Sequence, residues 1–132
     1  MAPTISSRRP TPAQTDDVTT VRRFFAAWTQ GDLEAMVALV DPQVMVEPLL
    51  GVLYTRAIYR GRSGIAAAAR ELALRWDRFE ITVADALPAC EQIVAHVDLV
   101  VEKHGMSCEG HVTVVCALRN GLIVSLTGDE SL

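Results

Sequence analysis

The sequence predicts an α+β domain, and three observations carry that reading. Apolar residues recur at helical spacing as far as Trp76, a period of two sets in after Asp77, and Asn120-Gly121 stands between two β-rich runs as a two-residue hairpin signal. Helices first and hairpins afterwards is the order expected of helices packed on one face of a mostly antiparallel sheet.

The elements follow in chain order. Residues 1–15 are rich in Pro, Ser and Thr and carry no hydrophobic period, so they are expected to be a disordered tail ahead of one domain over 16–132. Val18, Val21, Phe24, Phe25 and Trp28 predict a first helix from Asp16, stopped by Gly31. Asp32 can cap a short second helix carrying Leu33, Met36, Val37 and Val40 on one stripe, before Asp41-Pro42 breaks it. Val44 to Val46 read as a short strand closed by Glu47-Pro48, and 49–55 as a loop. Ser63 then caps a third helix with Ile65, Ala68, Ala69, Leu72 and Trp76 on its apolar face. Four strands are expected near 78–87, 90–102, 106–119 and 122–130, joined at Pro88-Ala89, His104-Gly105 and Asn120-Gly121.

Composition narrows the function. The chain has 132 residues, 50% apolar and 21% charged, enough for one core but not for two domains. Its net charge of −4 argues against nucleic-acid binding, and no segment is apolar for the length of a membrane span. Cys90, Cys108 and Cys116 are odd in number and lack CxxC spacing, so they read as reduced thiols of a cytoplasmic protein.

Two-residue turns fix the expected register. At His104-Gly105 such a turn sets Asp98 opposite His111 and His96 opposite Thr113; at Asn120-Gly121 it sets Glu130 opposite His111 from the other side. Because side chains alternate, His96, Asp98, Glu109, His111, Thr113 and Glu130 share one face, and Val97, Leu99, Val101, Val112, Val114 and Cys116 share the other. Two arrangements follow. Either the polar-centred face is wet and the apolar one is core, or the helices cover the polar-centred face, His96, Asp98 and His111 line an enclosed cavity, and the apolar face needs a partner subunit.

Five segments bear on that choice: Phe24-Phe25-Ala26-Ala27-Trp28, Gly31-Asp32-Leu33-Glu34-Ala35-Met36, Asp41-Pro42, Tyr59-Arg60-Gly61 and Arg119-Asn120-Gly121-Leu122-Ile123. In this order they resemble the SnoaL-like and ketosteroid-isomerase-like branch of the nuclear transport factor 2-like superfamily. The resemblance implies a cone-shaped α+β barrel, three N-terminal helices on a curved sheet, a pocket between them, and a homodimer through the outer sheet face. It therefore favours the enclosed cavity.

The same resemblance implies cofactor-free acid–base chemistry of isomerase or cyclase type on a small, largely apolar molecule. Glu47, followed by Pro48, falls where steroid isomerases keep the carboxylate that moves a proton between carbons. The positions of their two enolate-oxygen donors read Phe24 and Thr113, and Phe24 cannot donate. A second template is similar in another place: His96-Val97-Asp98 resembles the Arg-x-Asp of limonene-type epoxide hydrolases, with Asp129 or Glu130 as the second carboxylate. A binding module without turnover is the third reading. In the two catalytic readings Asp98 and His111 act as a pair, with His96 alongside: Asp98 orients and charges His111 as an acid or base, or itself activates water for epoxide hydrolysis. Trp28, Trp76, Phe25 and Tyr54 are candidates to shape the apolar pocket. His96, Asp98 and His111 also have facial-triad composition, but carboxylates commonly pair with histidines without metal, so no metal and no cofactor are expected.

Overall fold

The computed structural model describes residues 12–47 and 58–129, with Asp129 through its backbone only. Helices α1 (Pro12–Gln30) and α2 (Leu33–Ala38) lead into strand β1 (Val40–Val46). A two-residue strand β2 (Tyr59–Arg60) precedes α3 (Gly61–Arg75), and four strands follow: β3 (Arg78–Ala89), β4 (Gln92–Lys103), β5 (Met106–Arg119) and β6 (Leu122–Asp129). One six-stranded sheet runs in the order β2-β1-β6-β5-β4-β3, with β1 parallel to β6 and every other pair antiparallel. The α+β reading therefore holds, with the helices on one face of a curved, unclosed sheet.

Local chemistry accounts for most boundaries. Gly31, at φ +70°, ends α1, and the Asp32 carboxylate accepts the Ala35 amide at 3.1 Å to start α2. The turns His104-Gly105 and Asn120-Gly121 both have positive φ at their two residues, as hairpin turns of this type require. Four boundaries differ from expectation. α1 begins at Pro12, a residue well suited to a first helical position, so residues 12–15 are helical, not tail. Val40 leaves the α2 stripe and pairs with Ile123 in β1. α3 begins at Gly61, after Arg60 and without a side-chain cap, so Ser63 lies inside the helix. The first hairpin turns at Cys90-Glu91, not at Pro88-Ala89; Pro88 stays in β3, which an edge strand tolerates.

α3 approaches β2 closely at Gly64, where an added Cβ would lie 2.9 Å from the Tyr59 carbonyl carbon, so only glycine fits without a shift. At the other edge of the sheet, α1 supplies partners to β3. The Thr29 hydroxyl donates to the Ile81 carbonyl at 3.0 Å and accepts the Ile81 amide at 2.9 Å, and Arg22 donates to the Val83 carbonyl.

The face of the sheet under the helices is the apolar one. Val97, Leu99, Val101, Val112, Val114 and Cys116 are all buried, in one cluster with Val21, Phe24, Trp28, Ile65 and Leu72. This overturns the enclosed cavity lined by His96, Asp98 and His111, and with it the argument that the apolar face needs a partner subunit. The reason is elementary: helices whose stripes are Val, Phe, Trp, Ile and Leu can only desolvate carboxylates and imidazoles, not pair them, whereas the valine face returns roughly 1.5–3 kcal/mol per buried side chain. Phe24, Phe25 and Trp28 set the centre, with Phe24 edge-on to both neighbours at 5.4 and 5.8 Å and Phe25 stacked on Trp28 at 6.4 Å.

Candidate functional site

Two places in the described structure hold groups able to recognise or change a ligand, and they lie on opposite faces of the sheet. The first is a cleft of about 350 Å³ where the end of α1, the start of α2, α3 and β3 meet. Trp28, Leu33, Met36 and Phe79 form apolar walls, the short side chains of Ala66, Ala69 and Ala73 leave the space open, and Arg70 is its cation. Gly31 makes this geometry possible by reversing the chain between α1 and α2.

The second place is the outer face, where the β4–β5 register is the expected one. Asp98 pairs with His111 and His96 with Thr113, and these four line a shallow groove of about 180 Å³. His111 Nδ1 lies 2.7 Å from Asp98 Oδ1. His96 finds a carboxylate that the sequence reading missed: its Nδ1 lies 2.5 Å from Asp85 Oδ1. β3 and β4 keep the register set by the turn at Cys90-Glu91 as far as Asp85 opposite His96, and a bulge at Ala84 follows, beyond which Val83 lies opposite Val97. Counting from the turn at Cys90-Glu91 gives the same pairing, and that turn was the available signal. Both pairs are solvated; the His111 side chain is 74% exposed and that of His96 is 51% exposed.

The remaining sequence candidates are dispersed. Glu47 is half-buried at the end of β1, its amide bonded to the Leu126 carbonyl at 2.9 Å. Phe24 is fully buried core, Trp28 borders the cleft, and Trp76 is half-buried against the core. Tyr54 lies outside the described residues, as does Glu130. Within the described part of β6, a bulge between Ala117 and Leu118 sets Asp129, instead of Gly128, opposite Thr113. One inner polar pair escaped the sequence reading: the Tyr59 hydroxyl donates to the Glu71 carboxylate. Gly64, Ala68 and Glu71 follow one line of α3 at i, i+4 and i+7, but no spacing rule ties Tyr59 to that line.

Among the described residues no polar or charged residue is fully buried, and no group of three His, Cys, Asp or Glu side chains is placed to hold a metal. The Cys116 thiol, in the core, is pushed up by burial to about 12 and is inert at ordinary pH. No helix among these residues is long and apolar enough to cross a membrane.

Comparison with known proteins fits this architecture. TerC co-crystallised with polyporic acid superposes with a TM-score of 0.77 at 13% identity, over 88% of this chain and 92% of that one. An NTF2-like protein of unknown function from Burkholderia pseudomallei gives 0.76 at 19% identity, over 88% and 91%. A hypothetical protein with a ketosteroid isomerase-like fold from Catenulispora acidiphila, in complex with trimethylamine, gives 0.73 at 17%, over 86% and 85%. No curated protein matches the sequence. A model of the SnoaL-like domain matches residues 21–126, the span from the first core residue of α1 to the last of β6, and the chain belongs to that family.

Proposed function

We propose that the chain binds a small, largely apolar organic molecule in the cleft between α1, α2, α3 and β3. One observation carries the reading: a space of about 350 Å³, walled by Trp28, Leu33, Met36 and Phe79, with Arg70 as its one cation among the described residues, has the size and lining of a small-molecule site. Among the described residues the cleft holds no carboxylate and no imidazole, so binding is what these side chains do. A screen by thermal shift and calorimetry against steroid-like enones, terpene epoxides and aromatic polyketide fragments tests it. Binding of at least one class, abolished by Ala73→Trp, is expected. Ala73 is exposed, so filling the cleft from that position leaves the core intact.

Turnover by cofactor-free acid–base chemistry of isomerase or cyclase type is the second reading, favoured by carboxylates at one end of the sheet. Tyr59 stands opposite Val46, so Glu47 lies one residue beyond a strand pair that also carries the Tyr59–Glu71 hydrogen bond. In this reading Glu47 takes a proton from a carbon beside a carbonyl and returns it to another, while Tyr59 and Glu71 hold a proton in reserve. Loss of pH-dependent turnover in Glu47→Gln with ligand affinity retained supports it; turnover in no variant leaves the binding module. A second copy is the proposed partner for the outer sheet face, where Val94, Val100, Val115 and Leu87 surround the two His–Asp pairs. Sedimentation at micromolar concentration tests that, a monomer counting against it.

A further inference from the structure

We propose that the ligand of the cleft is an amphipathic organic acid, with a one- to three-ring apolar body against Leu33, Phe79 and the alanines of α3 and a carboxylate or phenolate on the Arg70 guanidinium. This rests on the binding reading above and names the class of ligand. Ala66, Ala69, Arg70 and Ala73 occupy α3 at i, i+3, i+4 and i+7, one continuous strip of the helix that borders the cleft. Three of the four are too short to fill the space, and the fourth brings a positive charge to its edge.

Arg70 makes no hydrogen bond or ion pair among the described residues, whereas Arg22 and Arg62 are spent on the Val83 and Val40 carbonyls. Among the described residues no Asp or Glu borders the cleft, although the chain carries 16 of them against 12 Lys and Arg. An anion approaching this acidic molecule therefore meets an unopposed positive charge at the mouth of an apolar cleft. A planar guanidinium offers a carboxylate two parallel N–H donors, a geometry that a neutral amide cannot use equally. One feature pulls the other way. α1 ends at the same rim, and the partial negative charge of its last carbonyls would favour an ammonium. Two of them, those of Ala27 and Trp28, are already taken by the Asp32 and Gly31 amides.

Three probes of one shape decide the matter: naphthalene carboxylate, naphthalene carboxamide and naphthylmethylammonium, titrated calorimetrically into the full chain at low salt, where an exposed charge is least screened. The carboxylate is expected to bind about tenfold more tightly than the amide, as one charge-assisted contact allows. Arg70→Gln should bring that ratio to about one without changing the amide, and Arg70→Lys should keep part of it. Equal affinities for carboxylate and amide, or tightest binding of the ammonium, overturn the proposal while leaving the cleft as a binding site, provided Ala73→Trp blocks whichever probe binds. If none of the three binds, this proposal falls, and the reading beneath it stands or falls with the wider screen. Arg70 is exposed, so its variants should melt with the parent chain and a null result is not a folding failure.

Discussion

His111 and Asp98 face each other across β4 and β5 with Nδ1 and Oδ1 2.7 Å apart, on the side of the sheet that the helices do not cover. A pair with this geometry inside a dry pocket would be a strong acid–base device. In water, where 74% of the His111 side chain and 48% of the Asp98 side chain stand, the attraction is screened and holding both groups still costs side-chain entropy. Asp98→Asn is therefore expected to lower stability by less than about 1 kcal/mol in urea unfolding. Binding in the cleft should be unchanged.

Thr29→Val should be more costly than any substitution in the two outer pairs. The valine keeps the shape but strips the Ile81 amide and carbonyl of their partner in a half-buried place, a loss of about 1–3 kcal/mol. Urea unfolding of the variant measures it, and faster amide exchange at Ile81 would localise it.

Thiol chemistry reports on the core. Cys90 and Cys108 are exposed and Cys116 is buried, with its thiol pushed up to about 12. Ellman's reagent at mildly alkaline pH should label two thiols at once and the third only on unfolding. Rapid labelling of all three would contradict a sheet face packed under the helices.

The carboxyl of Asp17 is held above its ordinary range, first by burial against α1's surroundings and then by the charge of Asp16. A carboxyl whose folded value is raised binds its proton more readily when folded, so it costs stability once pH exceeds the folded value, and that cost vanishes below the unfolded one. Asp17→Asn should raise the Tm at neutral pH, with the gain fading as pH falls through the carboxylate range. A gain that grows on acidification would reverse the sign.

Much of the fold was legible because its signals are local. Gly31, Asp32 and the paired turn residues at 104–105 and 120–121 each dictate backbone geometry by their own chemistry, and the β4–β5 register follows by counting. What failed was non-local. Strict alternation separates His96, Asp98 and His111 from Val97, Leu99 and Val112, yet it does not say which set meets the helices. The resemblance tipped that choice toward the polar set, against the simpler rule that apolar stripes cover apolar faces. The two bulges were invisible for a different reason. Ala84 and the step between Ala117 and Leu118 carry no glycine or proline to announce them, and each shifts by one residue the pairings on its far side from the hairpin turn, setting Thr82 opposite Asp98 and Asp129 opposite Thr113. The cleft was hidden most completely. Ala66, Ala69 and Ala73 read as good helix formers, and nothing in a run of alanines says that the space above them stays open.

The contact between Thr29 and Ile81 reaches beyond the stability of one chain. β3 is the last strand of the sheet, and a bare final strand is a template on which a neighbouring molecule can lay its own backbone. A single hydroxyl from α1 engages both backbone groups of Ile81, while Arg22 covers the Val83 carbonyl and the ring of Pro88 removes one more donor. The helix thus serves as a selvedge for the sheet: α1 takes three backbone groups of its last strand out of reach of a neighbouring copy, and loosening it is expected to be felt as lower solubility.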